Sequence, residues 1–144
     1  MMLADVNVLV GANRVDHPHH AVCFAWLRGA TTGGEPFAVT PLILSAVVRI
    51  LTSRRIFTEP TTLSEAFRYC DELLDHPLAR IIEPGARHWT IFSRLCHQTG
   101  TVGPKISDAW YAALAIEHGC EWISLDRDFA AYPDLRWRSP APQR

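Results

Sequence analysis

Apolar positions fall into short blocks separated by polar turns, and their period changes from block to block. Residues 2–10, MLADVNVLV, are a Val- and Leu-rich run of the kind that becomes a buried parallel strand. Asp16 through Arg28 reads as a helix, with Asp16 as N-cap and Pro18 in its first turn. Gly33-Gly34 marks a loop ahead of a short strand near 36–39, and Thr40-Pro41 opens a helix reaching about Ser53. The next helix starts at Thr62 or Ser64. In it Leu63, Phe67, Cys70 and Leu74 recur at three- and four-residue steps. ARIIEP follows as a strand, Ala86–Gln98 as a helix and GTVGP as a loop. ISDAWYAALAIEHG is a helix closed by Gly119, CEWISL is a strand, and DRDF leads to a last short strand near LRWR.

Strands alternating with helices predict an α/β domain whose central parallel sheet is covered on both faces. At 144 residues the chain fits one such domain, 1–144. Ligands of these sheets bind beyond the carboxyl ends of the strands, and aspartates gather there. Asp5 lies inside the first apolar run, where a strand interior offers it no capping role and desolvation of a lone carboxylate is unfavourable. Asp126 follows the strand WISL, Asp128 lies two residues on, and Asp108 sits in the first turn of the helix after GTVGP. Asp108 also suits a helix start on dipole grounds, and DRDF is an ordinary turn composition. Asn7 is placed to orient Asp5 or to satisfy a nearby backbone group.

If the first and last of these strands are neighbours, the carboxylates converge. Two of them about 4 Å apart repel by roughly 4 kcal/mol at an effective dielectric of 20. Such a cluster requires protons or a cation, and hard oxygen donors without His or Cys favour Mg²⁺ or Mn²⁺ over zinc.

Composition narrows the partners only slightly. Net charge is −1, yet thirteen of the 14 basic residues are arginine and Lys105 is the single lysine. Arginine suits bidentate phosphate contacts, although a genome rich in G and C favours arginine codons equally well. Arg49, Arg54 and Arg55, on or just after the second helix, and Arg127, between the loop aspartates, are the candidate phosphate contacts if the acids hold a metal ion. Cysteines 23, 70, 96 and 120 lack CxxC spacing and read as small buried hydrophobes. The HPHH at 17–20 has no i,i+4 histidine pair, so it makes a poor metal site. No apolar run reaches membrane length and no leader pattern is present, which predicts a cytoplasmic location.

LADVNVLV, PLILSAVVRILTSRRIF and ISDAWYAALAIEHGCEWISLDRDFAAYPDL together resemble the PIN-domain ribonucleases, most of all the VapC-type toxins of bacterial toxin–antitoxin pairs. The resemblance runs nearly the length of the chain. It implies a three-layer α/β/α fold and Mg²⁺- or Mn²⁺-dependent cleavage of RNA to 5′-phosphate and 3′-hydroxyl ends. It also implies homodimer formation and a cognate VapB-type antitoxin. Carried over by position, Asp5, Asp108, Asp126 and Asp128 are the catalytic acids, the first three binding metal, with Asn7 supporting them. One departure stands out: many PIN domains carry a glutamate in the helix after the second strand, where this chain has Ser45 and Ala46. That keeps a second reading open, a PIN-like module that binds RNA or a partner protein without cutting. A haloacid-dehalogenase-type reading would need an aspartate where Asn7 stands. For the antitoxin, the helices containing LILSAVVRIL and FRYCDELL are the candidate walls of a docking groove, though their apolar faces also suit a core.

Overall fold

The computed structural model describes residues 1–142. Five parallel strands form one sheet in the order β3-β2-β1-β4-β5. They are β1 (Met2–Ala4), β2 (Phe37–Val39), β3 (Ala79–Ile81), β4 (Glu121–Ile123) and β5 (Trp137–Arg138). Six helices connect them: α1 (Val6–Asn13), α2 (His20–Thr32), α3 (Pro41–Leu51), α4 (Leu63–Leu74), α5 (His88–Thr99) and α6 (Ile106–Glu117). From β1 to β2 to β3 the chain steps one way along the sheet. From β3 it returns past β1 to β4. Right-handed crossovers in opposite directions place helices on opposite faces, which gives the three-layer α/β/α arrangement. Accordingly α1 packs on α2 and α3, α3 packs on α4, and α5 packs on α6. The order reverses between β1 and β4, which pair Leu3 with Trp122 and Ala4 with Ile123.

The first apolar run does not stay a strand. The strand ends at Ala4, and a helix begins at Val6. Asp5 (φ −67°, ψ 158°) is the N-cap of α1, its Oδ1 accepting the Val6 N–H at 2.7 Å. The expected strand over 2–10 is therefore corrected, and with it the view that Asp5 has no capping role. A helix buried on nearly all sides carries no amphipathic period. In α1 Val6, Val8, Leu9, Val10, Gly11 and Ala12 are all buried, so its sequence imitates a buried strand.

The helix expected from Asp16 starts instead at His20 and runs to Thr32, because Arg14 takes up the Asp16 carboxylate. Elsewhere the boundaries shift little: α3 ends at Leu51, α5 starts at His88, and the DRDF loop closes as a 3-10 turn over Arg127–Ala131. Helix α4 is entered through a reciprocal capping box between Thr62 and Glu65. Gly119, just past α6, takes φ 65°, as a helix-ending glycine should. Cys23, Cys70 and Cys120 are buried free thiols and Cys96 is half-buried. Among the described residues, no helix is long and apolar enough to cross a membrane.

Gly11 sets the approach of α2 to α1. A Cβ there would lie 2.9 Å from the Cys23 Sγ and 3.2 Å from its Cβ. Overpacking of this kind costs about 1–3 kcal/mol, more than the helix propensity that alanine gains. Gly11→Ala should therefore destabilise the fold by about 1 kcal/mol in urea titration. In a Cys23→Ala background, which removes the 2.9 Å contact and keeps the one at 3.2 Å, the same substitution should cost clearly less. Equal effects in both backgrounds would contradict this packing.

Candidate active site

Asp5 stands where β1 ends, 7% exposed, beside the end of β4. Its amide donates to the Ile123 carbonyl at 2.8 Å, which extends the β1–β4 ladder to the carboxylate itself. Its Oδ2 accepts the Ser124 hydroxyl at 2.6 Å. Ser124 is fully buried, and its Oγ also accepts from Asn7 Nδ2 at 3.2 Å and from the Asp126 amide at 3.0 Å. Asn7 Oδ1 in turn accepts the Leu125 amide at 3.2 Å. One serine thus joins the β1–α1 corner to the loop after β4. Asn7 helps to hold Asp5 by way of Ser124, as well as satisfying a backbone amide.

Asp126 begins the 3-10 turn and accepts the Asp128 amide at 2.9 Å. Asp108 enters from the first turn of α6. One turn later Tyr111 stacks on Trp122 of β4, with ring centroids 5.9 Å apart, which fixes α6 against the strand. Asp5, Asp108, Asp126 and Asn7 line one open cleft of about 880 Å³, as do Arg49 and Tyr111. Three of the four expected acids therefore meet. Asp128 turns outward, its Oδ2 2.6 Å from Lys105 Nζ, and does not line the cleft. Of the four arginines, Arg49 lines the cleft, while Arg54, Arg55 and Arg127 are exposed outside it. Ser45 is exposed and donates to the Leu42 carbonyl. Ala46 lines the cleft, so 46 is the position from which a helix acid would face the site. His17 also lines it; its Nδ1 accepts the His19 amide, while His20 donates to the Gly11 carbonyl.

Burial pushes the Asp5 acid up to about 6, against the lowering effect of its bonds from Ser124 and Val6, and the charges of Asp108 and Asp126 add to the rise. Asp108 is also raised, by burial and then by Asp126, with Lys105 opposing. Hydrogen bonding to Asp128 raises Lys105 itself. The lysine is thus engaged at the rim, and inside the cleft the carboxylates repel one another. This donor set, oxygen only and mutually repelling, suits Mg²⁺ or Mn²⁺. Among the described residues no three acids, histidines or cysteines are gathered closely enough to hold an ion directly. A fit therefore requires an ion that keeps several waters, as Mg²⁺ does.

Sequence reasoning missed Ser124 and Lys105. Ser124 had a signal: a polar residue in an otherwise apolar strand, two positions before an aspartate. Lys105 had one in its solitude among arginines. Asp16 and Glu59 also reach the cleft, from loops.

Because burial lifts the Asp5 acid from 3.8 to about 6, the folded state holds its proton more tightly than the unfolded chain. The stability this group contributes is complete at low pH and is lost as the pH rises through about 6, about 3 kcal/mol in all. In EDTA, wild type should lose stability relative to Asp5→Asn between about pH 4 and about pH 6.5 in urea titrations. A difference flat across that window would contradict the burial of this charge. Ser124→Ala strands three polar groups and should cost about 2 kcal/mol at neutral pH; a neutral effect would remove Ser124 from the network.

A PIN domain family model matches residues 2–135. Ribonuclease VapC43 of Mycobacterium tuberculosis is 41% identical over 140 residues, covering 97% of this chain and 95% of that protein. Ribonuclease VapC25 of the same organism is 37% identical, with 97% and 99% covered. In the crystal structure of VapBC2 from Rickettsia felis, bound to a DNA fragment from its promoter, the similar chain superimposes with a TM-score of 0.70 at 16% identity. That match covers 96% of this chain and 97% of the other. It supports the fold alone, whereas the sequence relatives span essentially the full length. The chain belongs to the PIN-domain family, within its VapC group.

Proposed function

We propose that this protein is a divalent-metal-dependent endoribonuclease, the toxin of a toxin–antitoxin pair, acting in the cytoplasm as a homodimer and neutralised by a VapB-type antitoxin. The observation that carries this reading is the meeting of Asp5, Asp108 and Asp126 in one open cleft at the point where strand order reverses. The names of the full-length relatives support RNA as the substrate.

Asp5, Asp108 and Asp126 would hold Mg²⁺, or Mn²⁺, partly through waters. Bound there, the ion would activate water and neutralise charge on phosphoryl oxygens. Ser124 and the α1 N-terminus keep Asp5 in one rotamer, so the carboxylate need not reorganise when the ion arrives. Arg49 in the cleft would take the phosphate next to the cut bond, and Arg54, Arg55 and Arg127 would take phosphates further out. Asp128, paired with Lys105, would tune the rim. Hydrolysis would break the P–O3′ bond and leave a 5′-phosphate and a 3′-hydroxyl.

An antitoxin finds a second feature outside the site. An apolar groove of about 470 Å³ between α2 and α4 is lined by Phe24, Leu27, Tyr69 and Leu73. An amphipathic helix laid there, with an arginine or lysine reaching the acidic cleft, would block both. This reading puts the groove walls on α2 and α4 rather than on α3 and α4, the apolar face of α3 taking the core role that was its other expectation. Ile43, Leu44, Val47 and Leu51 of α3 are buried in the core.

Ala46 favours the alternative, a module that binds RNA or a partner without cutting. Purified protein on total RNA with Mg²⁺ or Mn²⁺ decides between the two. Discrete fragments are expected, reduced roughly a hundredfold or more by Asp5→Asn or Asp108→Asn and abolished by EDTA. Undiminished cleavage by both variants would overturn the site. No cleavage by folded wild type, with activity appearing in Ala46→Glu, would establish the binding module.

A further inference from the structure

The cleft has a part that neither helix nor strand supplies. Residues 16–18, between α1 and α2, and 56–59, between α3 and α4, line it as loops. A single side chain joins them. Arg14, at the C-terminal end of α1, donates from Nε and Nη2 to the two carboxylate oxygens of Asp16, at 2.9 and 2.7 Å. From Nη1 it donates to the Glu59 carbonyl at 2.9 Å and to the Thr61 hydroxyl at 3.3 Å. Its guanidinium lies 4.1 Å from the centre of the Phe57 ring, and the side chain is only 13% exposed. Five fixed contacts on a planar fork leave it one conformation.

What these loops offer a substrate is the reverse of a phosphate site. The charge of Arg14 is matched by Asp16, whereas the Glu59 carboxylate has no hydrogen bond or ion pair among the described residues. An RNA backbone would be repelled here and drawn to Arg49, which lines the same cleft. With the backbone on the arginine side, bases would meet the loops. A carboxylate brings two acceptor oxygens and no donor. Among RNA bases, guanine alone presents two adjacent donors on its pairing edge, N1–H and the N2 amino group. Unpaired bases are the parts of RNA that proteins read at such edges.

We propose that Glu59 is the specificity-determining residue of the cleft, selecting an unpaired guanine beside the cut phosphodiester, and that Arg14 is the positioning residue that holds Glu59 there. The proposal rests on the ribonuclease reading above. It differs in kind from a metal role: the backbone of Glu59 is tethered to Arg14, and its carboxylate is left for a ligand with donors.

Two short single-stranded RNAs test it, one with a single guanosine and one with inosine in its place, which keeps N1–H and lacks the amino group. Wild type should favour the guanosine RNA roughly tenfold or more in kcat/KM, and Glu59→Gln should abolish the preference, with the loss mainly in KM. Arg14→Met should mimic Glu59→Gln, Arg14→Lys should recover part of the preference, and the double variant should be no worse than Arg14→Met. Binding of both RNAs to the Asp108→Asn variant, read by fluorescence anisotropy, reports the same preference without cleavage. Equal binding and cleavage of the two RNAs by these proteins, or a preference that survives Glu59→Gln, overturns the proposal. A guanosine preference in binding, with no cleavage of any RNA by wild type, supports the base reading and overturns the catalytic one.

Discussion

The structure turns on a carboxylate placed where a strand stops and a buried helix begins. Asp5 caps α1, accepts the Ser124 hydroxyl and is 7% exposed, so its charge is held in a setting that opposes ionisation. The two hydrogen bonds offset part of that burial but leave the acid raised to about 6. Asp108 and Asp126 lie close enough to raise it further. A neutral cap would hold α1 as well, so the carboxylate adds a cost that capping does not require. A cation entering the cleft, as proposed above, would relieve that strain.

Topology explains why the acids meet. The sheet order reverses between β1 and β4, so the loops beyond these two strands diverge to opposite faces and leave an opening. Asp5 follows the first strand, Asp126 follows the fourth, and Asp108 comes from α6, the helix that leads into the fourth. Residues about 120 apart in sequence are joined across that opening by Ser124, which bonds Asp5, Asn7 and the Asp126 amide together. The stack of Tyr111 on Trp122 ties the third acid to the same frame. The rim around this frame is set by single pairs: Lys105 with Asp128 on one loop and Arg14 with Asp16 on another.

Much of this was legible in the chain, for identifiable reasons. Amphipathic helices such as α4 declare their period and their caps, and the βα alternation declares a parallel sheet. The convergence of Asp5, Asp108 and Asp126 was legible from their places just after strands and at a helix start, while the capping role of Asp5 was concealed by the apolar run around it. The run LADVNVLV was misread because burial on all sides erases the helical period, and valine then argues for a strand. Asp16 was misread as a cap because a bidentate pairing with Arg14, two residues away, outcompetes capping. Ser124 and the rim pairs depend on contacts between distant segments, which no local pattern encodes. Asp128, grouped with the other acids by spacing, is separated from them by the one lysine of the chain.

The central claim is that the buried Asp5 forms a divalent-cation site with the half-buried Asp108 and Asp126. Titrating Mn²⁺ into EDTA-stripped, re-dialysed protein while following free Mn²⁺ by electron paramagnetic resonance tests it without RNA. Wild type should show saturable binding that weakens roughly ten- to a hundredfold in Ser124→Ala and disappears in Asp5→Asn. Binding of equal strength in all three proteins would show that the ion sits elsewhere and that the burial of Asp5 serves some other end.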